Sequence, residues 1–194
     1  RENMPLCSVA LITLALVKCH ALTPKRVLVV GGSGRVGAST VRWIDKLAKA
    51  EQLPVELAIG GRRQASFDAA AKRLGAKGVD DIKFVQLDLD DAASLERAVA
   101  GRSLVVHTAG PFQQRTDPTL LKACIDAGVP YCDVCDELEL SRAAKKLTSH
   151  CDVPAVISCG IWPGASALLA ARAAERLGKP LGDLEFSFFT SGTG

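Results

Sequence analysis

Val27-Leu28-Val29-Val30-Gly31-Gly32-Ser33-Gly34-Arg35-Val36-Gly37 is the stretch from which the rest of the chain can be read. Four consecutive branched or leucine side chains make a run suited to a strand buried on both faces. The glycines at 32, 34 and 37 then form G-x-G-x-x-G between that strand and a helical pattern. In such a turn the first glycine permits the tight bend, the second lets a pyrophosphate approach the backbone, and the third lets the helix pack against the strand. The helix that opens there points unpaired N–H groups and the positive end of its dipole at an anion. Gly32, Ser33, Gly34, Arg35, Val36 and Gly37 are therefore candidate phosphate-binding residues. A glycine-rich turn without a ligand is the alternative reading. A Walker-type phosphate loop is excluded, because Ala38 stands where its lysine would follow Gly37.

Working outward, short apolar runs alternate with amphipathic stretches, the pattern of repeated βαβ units. Strands are expected over 26–30, 55–59, 82–87, 103–108, 129–134 and 155–158. Helices are expected over 36–49, 64–74, 91–100, 118–127, 138–149 and from 163 to about 177. In the fourth of these Asp117 is placed as N-cap and Pro118 as the first helical residue. The fold class that follows is α/β, an open, mostly parallel, doubly wound Rossmann sheet over residues 25–178.

The identity of the dinucleotide is read at the tip of the second strand, where an acidic residue would hold the ribose hydroxyls of NAD. Here the strand ends Gly60-Gly61-Arg62-Arg63, with no carboxylate and two guanidinium groups. The planar fork of arginine suits a 2′-phosphate, so NADP is the expected cofactor and Arg62 and Arg63 its candidate ligands. Arg63 also reads as a solvated residue at a helix start. Between Lys25 and Lys77 eleven basic residues face four acidic ones, which fits a phosphorylated ligand. Asp88, at the end of the third strand, is placed either to bond the adenine edge or to cap the next turn.

The nicotinamide end is expected at the loop after the fourth strand, with Ala109, Gly110 and Pro111 allowing close backbone approach. His107, just before it, reads as structural, with contact to cofactor or substrate as the alternative. Trp162 is placed equally in a pocket wall or in the core. Tyr131 is the only tyrosine and position 135 is cysteine, so the Tyr-x-x-x-Lys pair of short-chain dehydrogenases is absent. No catalytic residue can be named. Cys132 and Cys135 have C-x-x-C spacing, but positions three apart on a strand point to opposite faces, and no metal site is expected from them.

Composition narrows the classes further. With 48% hydrophobic and 23% charged residues the 194-residue chain is an ordinary packed globule, and a net charge of +3 is too small to argue for nucleic acid or an anionic membrane as partner. Seven scattered cysteines suit a reducing compartment better than a disulfide framework. The uncharged run from Met4 to Val17 is too short for a membrane span. It has the length of a signal-peptide core but no basic residue between Met4 and the run. Residues 1–24 are thus read as a targeting segment or a disordered extension.

Four ordered motifs also resemble one family. They are the glycine turn, Val106-His107-Thr108-Ala109-Gly110-Pro111-Phe112-Gln113, Tyr131-Cys132-Asp133-Val134-Cys135-Asp136, and Gly160-Ile161-Trp162-Pro163-Gly164. Together they are similar to the saccharopine dehydrogenase-like oxidoreductases, closest to the plant and algal plastid-type members. The resemblance implies an NADP-binding Rossmann domain followed by an α+β domain that supplies much of the substrate pocket. Residues 183–194 look like the opening of that second domain, truncated here. A homodimer, if formed, would be built through it. The location implied is plastid or cytoplasm. The expected function is hydride transfer between NADP and a small C=N, C=O or activated C=C compound, with this chain as mainly the cofactor-binding portion, expected to bind NADPH without turnover. The alternative is a non-catalytic NADP-binding module that senses redox state or serves assembly.

Overall fold

The computed structural model describes residues 23–110, 112, 115–178 and 182–187. Six strands, β1 (Lys25–Val30), β2 (Val55–Gly61), β3 (Lys83–Gln86), β4 (Leu104–His107), β5 (Tyr131–Asp133) and β6 (Ala155–Val156), form one sheet in the order β3-β2-β1-β4-β5-β6. Every pairing is parallel. The crossovers carry α1 (Arg35–Ala50), α2 (Gln64–Gly75), α3 (Ala92–Val99), α4 (Thr119–Asp126) and α5 (Leu138–Thr148), and α6 (Ala165–Leu177) follows β6. The chain moves outward through β2 and β3 on one side of β1, then returns to place β4 on the other. This reversal between β1 and β4 is a topological switch point, which opens a crevice beyond their C-terminal ends.

The alternation of β1 explains why the sheet is covered on both faces. Leu28 and Val30 pack with Val105, Leu95, Leu120, Leu121 and Tyr131 under α3, α4 and α5. Val27 and Val29 pack with Val41, Ile59, Leu74 and Val106 under α1 and α2. Side chains two apart share a face, so a strand buried on both sides reads as a continuous apolar run. Each fully buried leucine, isoleucine or valine contributes about 1.5 to 3 kcal/mol relative to exposure.

Helix ends depart from the sequence reading where tertiary contacts intervene. α3 starts as a capped helix should, with the Asp91 carboxylate accepting from the Ser94 N–H at 3.2 Å. α4 does not: Asp117 makes no cap, Pro118 occupies the cap position, and the helix starts at Thr119. Its entry is fixed instead by the Thr119 hydroxyl, which donates to the Leu89 carbonyl at 3.1 Å. β6 is two residues rather than four, because Ser158 turns to a φ of +58° and gives its N–H to Asp133 Oδ1 at 2.7 Å. α6 begins at Ala165 rather than at 163, after Gly164 at φ +133°. None of the α6 residues is buried. Residues 183–187 have no regular structure, and the Phe186 ring meets Trp162 edge-on at 4.9 Å between centroids. The expected strand of a second domain from 183 to 194 falls largely outside the described residues.

Candidate dinucleotide-binding site

At the switch point lies a cavity of about 440 Å³, bounded by the glycine turn, the tips of β2 and β3 and the loop after β4. That volume is within the roughly 300 to 1,000 Å³ of small-molecule and cofactor sites. The glycine turn is closed by backbone bonds from Gly31 N to the Gly60 carbonyl at 2.8 Å and from Gly34 N to the Gly31 carbonyl at 2.9 Å. Gly31 sits at φ +79°, and a Cβ there would lie 2.6 Å from Ala109 Cα. At Gly37 a Cβ would run into the Gly31 carbonyl oxygen and stand 2.6 Å from both Gly32 Cα and Thr108 Oγ1. The third glycine of the motif is therefore the one at which helix α1, the turn and the β4 loop meet. Gly34, the N-cap residue of α1, offers no side-chain acceptor to the first turn.

The sequence-derived candidates separate on this geometry. Ser33, Gly34, Arg62, Arg63, Asp88, Ala109 and Gly110 line the cavity. Gly32 and Gly37 are buried behind it as packing positions, while Arg35 and Val36 are exposed on the first turn of α1 and are not among its lining residues. Pro111 lies outside the described residues. Among the described residues neither Arg62 nor Arg63 pairs with a carboxylate. Asp88 Oδ1 accepts from the Asp90 N–H at 3.1 Å, so it shapes its own turn while also lining the cavity. Three contributors were not legible in the sequence. Ser66, in the first turn of α2, adds a hydroxyl beside the arginines. Arg73 donates to the Ser33 carbonyl at 3.2 Å and so braces the glycine turn from α2. Arg115 closes the far side, paired with Asp90 at 3.2 Å.

Behind the β4 loop runs a buried polar chain. Asp133 Oδ1 accepts from the N–H groups of Cys135 at 3.1 Å and Ser158 at 2.7 Å, and Oδ2 accepts from the Tyr131 hydroxyl at 3.0 Å. Tyr131 OH lies 3.0 Å from His107 Nδ1. One carboxylate thereby ties together the loops that follow β5 and β6. Burial, and then the Arg115 charge, lower the His107 pKa to about 4, so the ring is neutral at pH 7. Burial raises the Tyr131 pKa well above its ordinary value, with the Asp133 charge adding to it. Cys132 packs on the α1–α2 side, and Cys135 packs with Phe112 and Leu140. Both thiols are free. Burial pushes the Cys132 thiol up to about 12, a poor nucleophile at neutral pH. Among the described residues no group of three or more His, Cys, Asp or Glu could hold a metal ion, and no helix is long and apolar enough to cross a membrane.

A parallel sheet with a glycine-turn cavity at its switch point defines a dinucleotide-binding α/β fold. More narrowly, the chain belongs to the saccharopine dehydrogenase NADP binding domain family, whose model matches residues 27–159. Among solved structures it is similar to the apo saccharopine dehydrogenase (L-Glu forming) of Saccharomyces cerevisiae, with a TM-score of 0.60 at 22% identity over 79% of this chain and 31% of that one. It is also similar to Pen from Bacillus thuringiensis, with a TM-score of 0.51 at 15% identity over 70% of this chain and 48% of that one. The triphenylmethane reductase of Citrobacter sp. gives 0.50 at 18% identity over 68% and 47%. These likenesses concern the fold. The chain spans about a third of the yeast enzyme's length and about half of the other two. A comparison with curated proteins gives no match.

Proposed function

We propose that this chain binds NADP(H) at the switch-point cavity and forms the cofactor-holding part of an oxidoreductase of the saccharopine dehydrogenase-like type. The observation that carries the reading is the pairing of an α1 N-terminus whose N-cap is a glycine, in a turn where a Cβ would collide, with two arginines at the tip of β2 that, among the described residues, pair with no carboxylate. The pyrophosphate rests on the N–H groups at Ser33, Gly34 and the first turn of α1, where backbone donors and dipole both favour an anion. Arg62, with Arg63 and the Ser66 hydroxyl beside it, takes the 2′-phosphate. Asp88 and Leu89 border the adenine. Ala109 and Gly110 give the nicotinamide end a path along the β4 loop.

When bound, the cofactor supplies or accepts a hydride at a small C=N, C=O or activated C=C compound. Residues 25–178 make up the cofactor unit in this reading, and the stretch from 183 opens a second domain that orients the substrate.

Arg62→Ala tests the 2′-phosphate assignment. NADPH should bind more weakly by about 1.5 to 3 kcal/mol, the range for hydrogen bonds to a charged group, with NADH almost unchanged. The check is fluorescence titration of both cofactors on both proteins. Equal losses would remove Arg62 from the 2′-phosphate.

A further inference from the structure

His107 Nε2 is the single buried side-chain nitrogen or oxygen without a hydrogen-bond partner among the described residues. The residue is 7% exposed. An unpaired buried polar atom costs about 1 to 3 kcal/mol, so one left in a native interior calls for a partner. The chain behind His107 fixes what that partner must offer. Asp133, holding two backbone N–H groups on Oδ1, is an acceptor, so the Tyr131 hydroxyl spends its proton on Oδ2. The tyrosine oxygen then accepts, and His107 must donate to it through Nδ1–H. In the neutral ring this leaves Nε2 as a bare lone pair.

His107 lines a second, small cavity of about 20 Å³, whose wall includes Pro118, Thr119, Leu120 and Leu121 from the start of α4. That helix has no side-chain cap, and a helix cannot pair its own first N–H groups. The cavity therefore brings together a lone pair that needs a donor and a helix start that needs an acceptor. Arg115 and Asp117 stand at the same wall, and Tyr131 and Asp133 at the β5 side. An anion would satisfy the helix but meet a lone pair at Nε2, and a cation would do the reverse. A neutral molecule that both donates and accepts satisfies both. At about 20 Å³ the space exceeds the roughly 10 to 15 Å³ needed by one water.

We propose that this cavity is a one-water site, in which a buried water donates to His107 Nε2 and accepts from the N–H groups at the start of α4. The water completes a chain running from α4 through His107 and Tyr131 to Asp133, and from there to the loops after β5 and β6. His107 is in this account a positioning residue, which fixes α4 and two loops at the C-terminal edge of the sheet against one another. Leu89 and Arg115 border both this cavity and the larger one, so the water sits directly behind the candidate dinucleotide site without belonging to it.

The test is NMR of the full chain labelled with nitrogen-15, with the His107 ring assigned by its loss in His107→Gln. At pH 7 the ring should carry its proton on Nδ1 and none on Nε2. Water should transfer magnetisation by cross-relaxation to His107 Hε1 and to the Thr119, Leu120 or Leu121 amide protons. In Tyr131→Phe, which removes the oxygen that holds Nδ1–H, the tautomer should shift from nearly all Nδ1–H to a mixture, a change that simple packing of the ring would not produce. The opposite tautomer, an imidazolium at pH 7, or no transfer from water would each overturn the site. None of these readouts depends on cofactor binding.

Discussion

Gly37→Ala should disrupt this protein strongly, although it adds only one methyl group to the glycine turn. The new Cβ would collide with the Gly31 carbonyl and stand 2.6 Å from both Gly32 Cα and Thr108 Oγ1. Two of those three neighbours are backbone atoms, which cannot swing aside as a side-chain tip could. Thr108 Oγ1 is itself held, donating to the Val30 carbonyl at 2.9 Å. Relief therefore requires α1 to move away from β1 and β4, which carries its N-terminus off the position proposed for the phosphates. Overpacking of this kind costs about 1 to 3 kcal/mol of stability. We expect that loss in urea denaturation, with NADPH affinity falling on the order of 100-fold, about 2.7 kcal/mol. An alanine variant with unchanged stability and affinity would show that the turn is not clamped as described.

The second large effect is a pH dependence set by His107. Its pKa is about 6.5 in an unfolded chain and about 4 in the fold. Between those values the unfolded chain binds a proton that the folded one does not, so stability rises with pH across the window. The contribution is complete above about pH 6.5, declines as the pH falls, and is fully lost below about pH 4. The difference corresponds to about 3 kcal/mol. Arg115, Asp117, Tyr131 and Asp133 are the charged and titratable groups that line the His107 cavity, and of these only Arg115 carries a positive charge opposing a second one on the ring. The measurement is the wild type against His107→Gln from pH 4 to 7, a comparison in which every other group is common to both proteins. The variant should lose most of the slope between pH 4.5 and 6.5. Parallel curves would contradict a buried, neutral His107.

What could be read in the sequence, and what could not, follows from the range of the interactions involved. The β1–α1 turn was legible because its spacing is local: strand, three glycines and helix occupy eleven consecutive residues. The arginines at the tip of β2 were legible because the end of a parallel strand next to the glycine turn is fixed by the fold itself. The start of α4 was misread, since Asp117 satisfies the local cap pattern but the helix is anchored by Thr119 on Leu89, 30 residues earlier. The short β6 has a similar cause, because Ser158 gives its N–H to Asp133 rather than extending the ladder. Tyr131 and Asp133, two apart on one strand, do lie on one face as the pleat requires. That His107 joins them depends on the β4–β5 register, which sets His107 opposite Asp133, and no local pattern reveals that register. Arg73 and Arg115 reach the site from an intervening helix and loop, so their place there was visible only in three dimensions.

The central claim is that a turn built for pyrophosphate and a strand tip built for a 2′-phosphate act on one ligand. It is tested most directly by titrating this chain with NADPH and with NADH under the same conditions and following binding by fluorescence or calorimetry. NADPH should bind at least about tenfold more tightly, a difference of about 1.4 kcal/mol. Binding of neither cofactor, or NADH affinity equal to or greater than that of NADPH, would contradict the account.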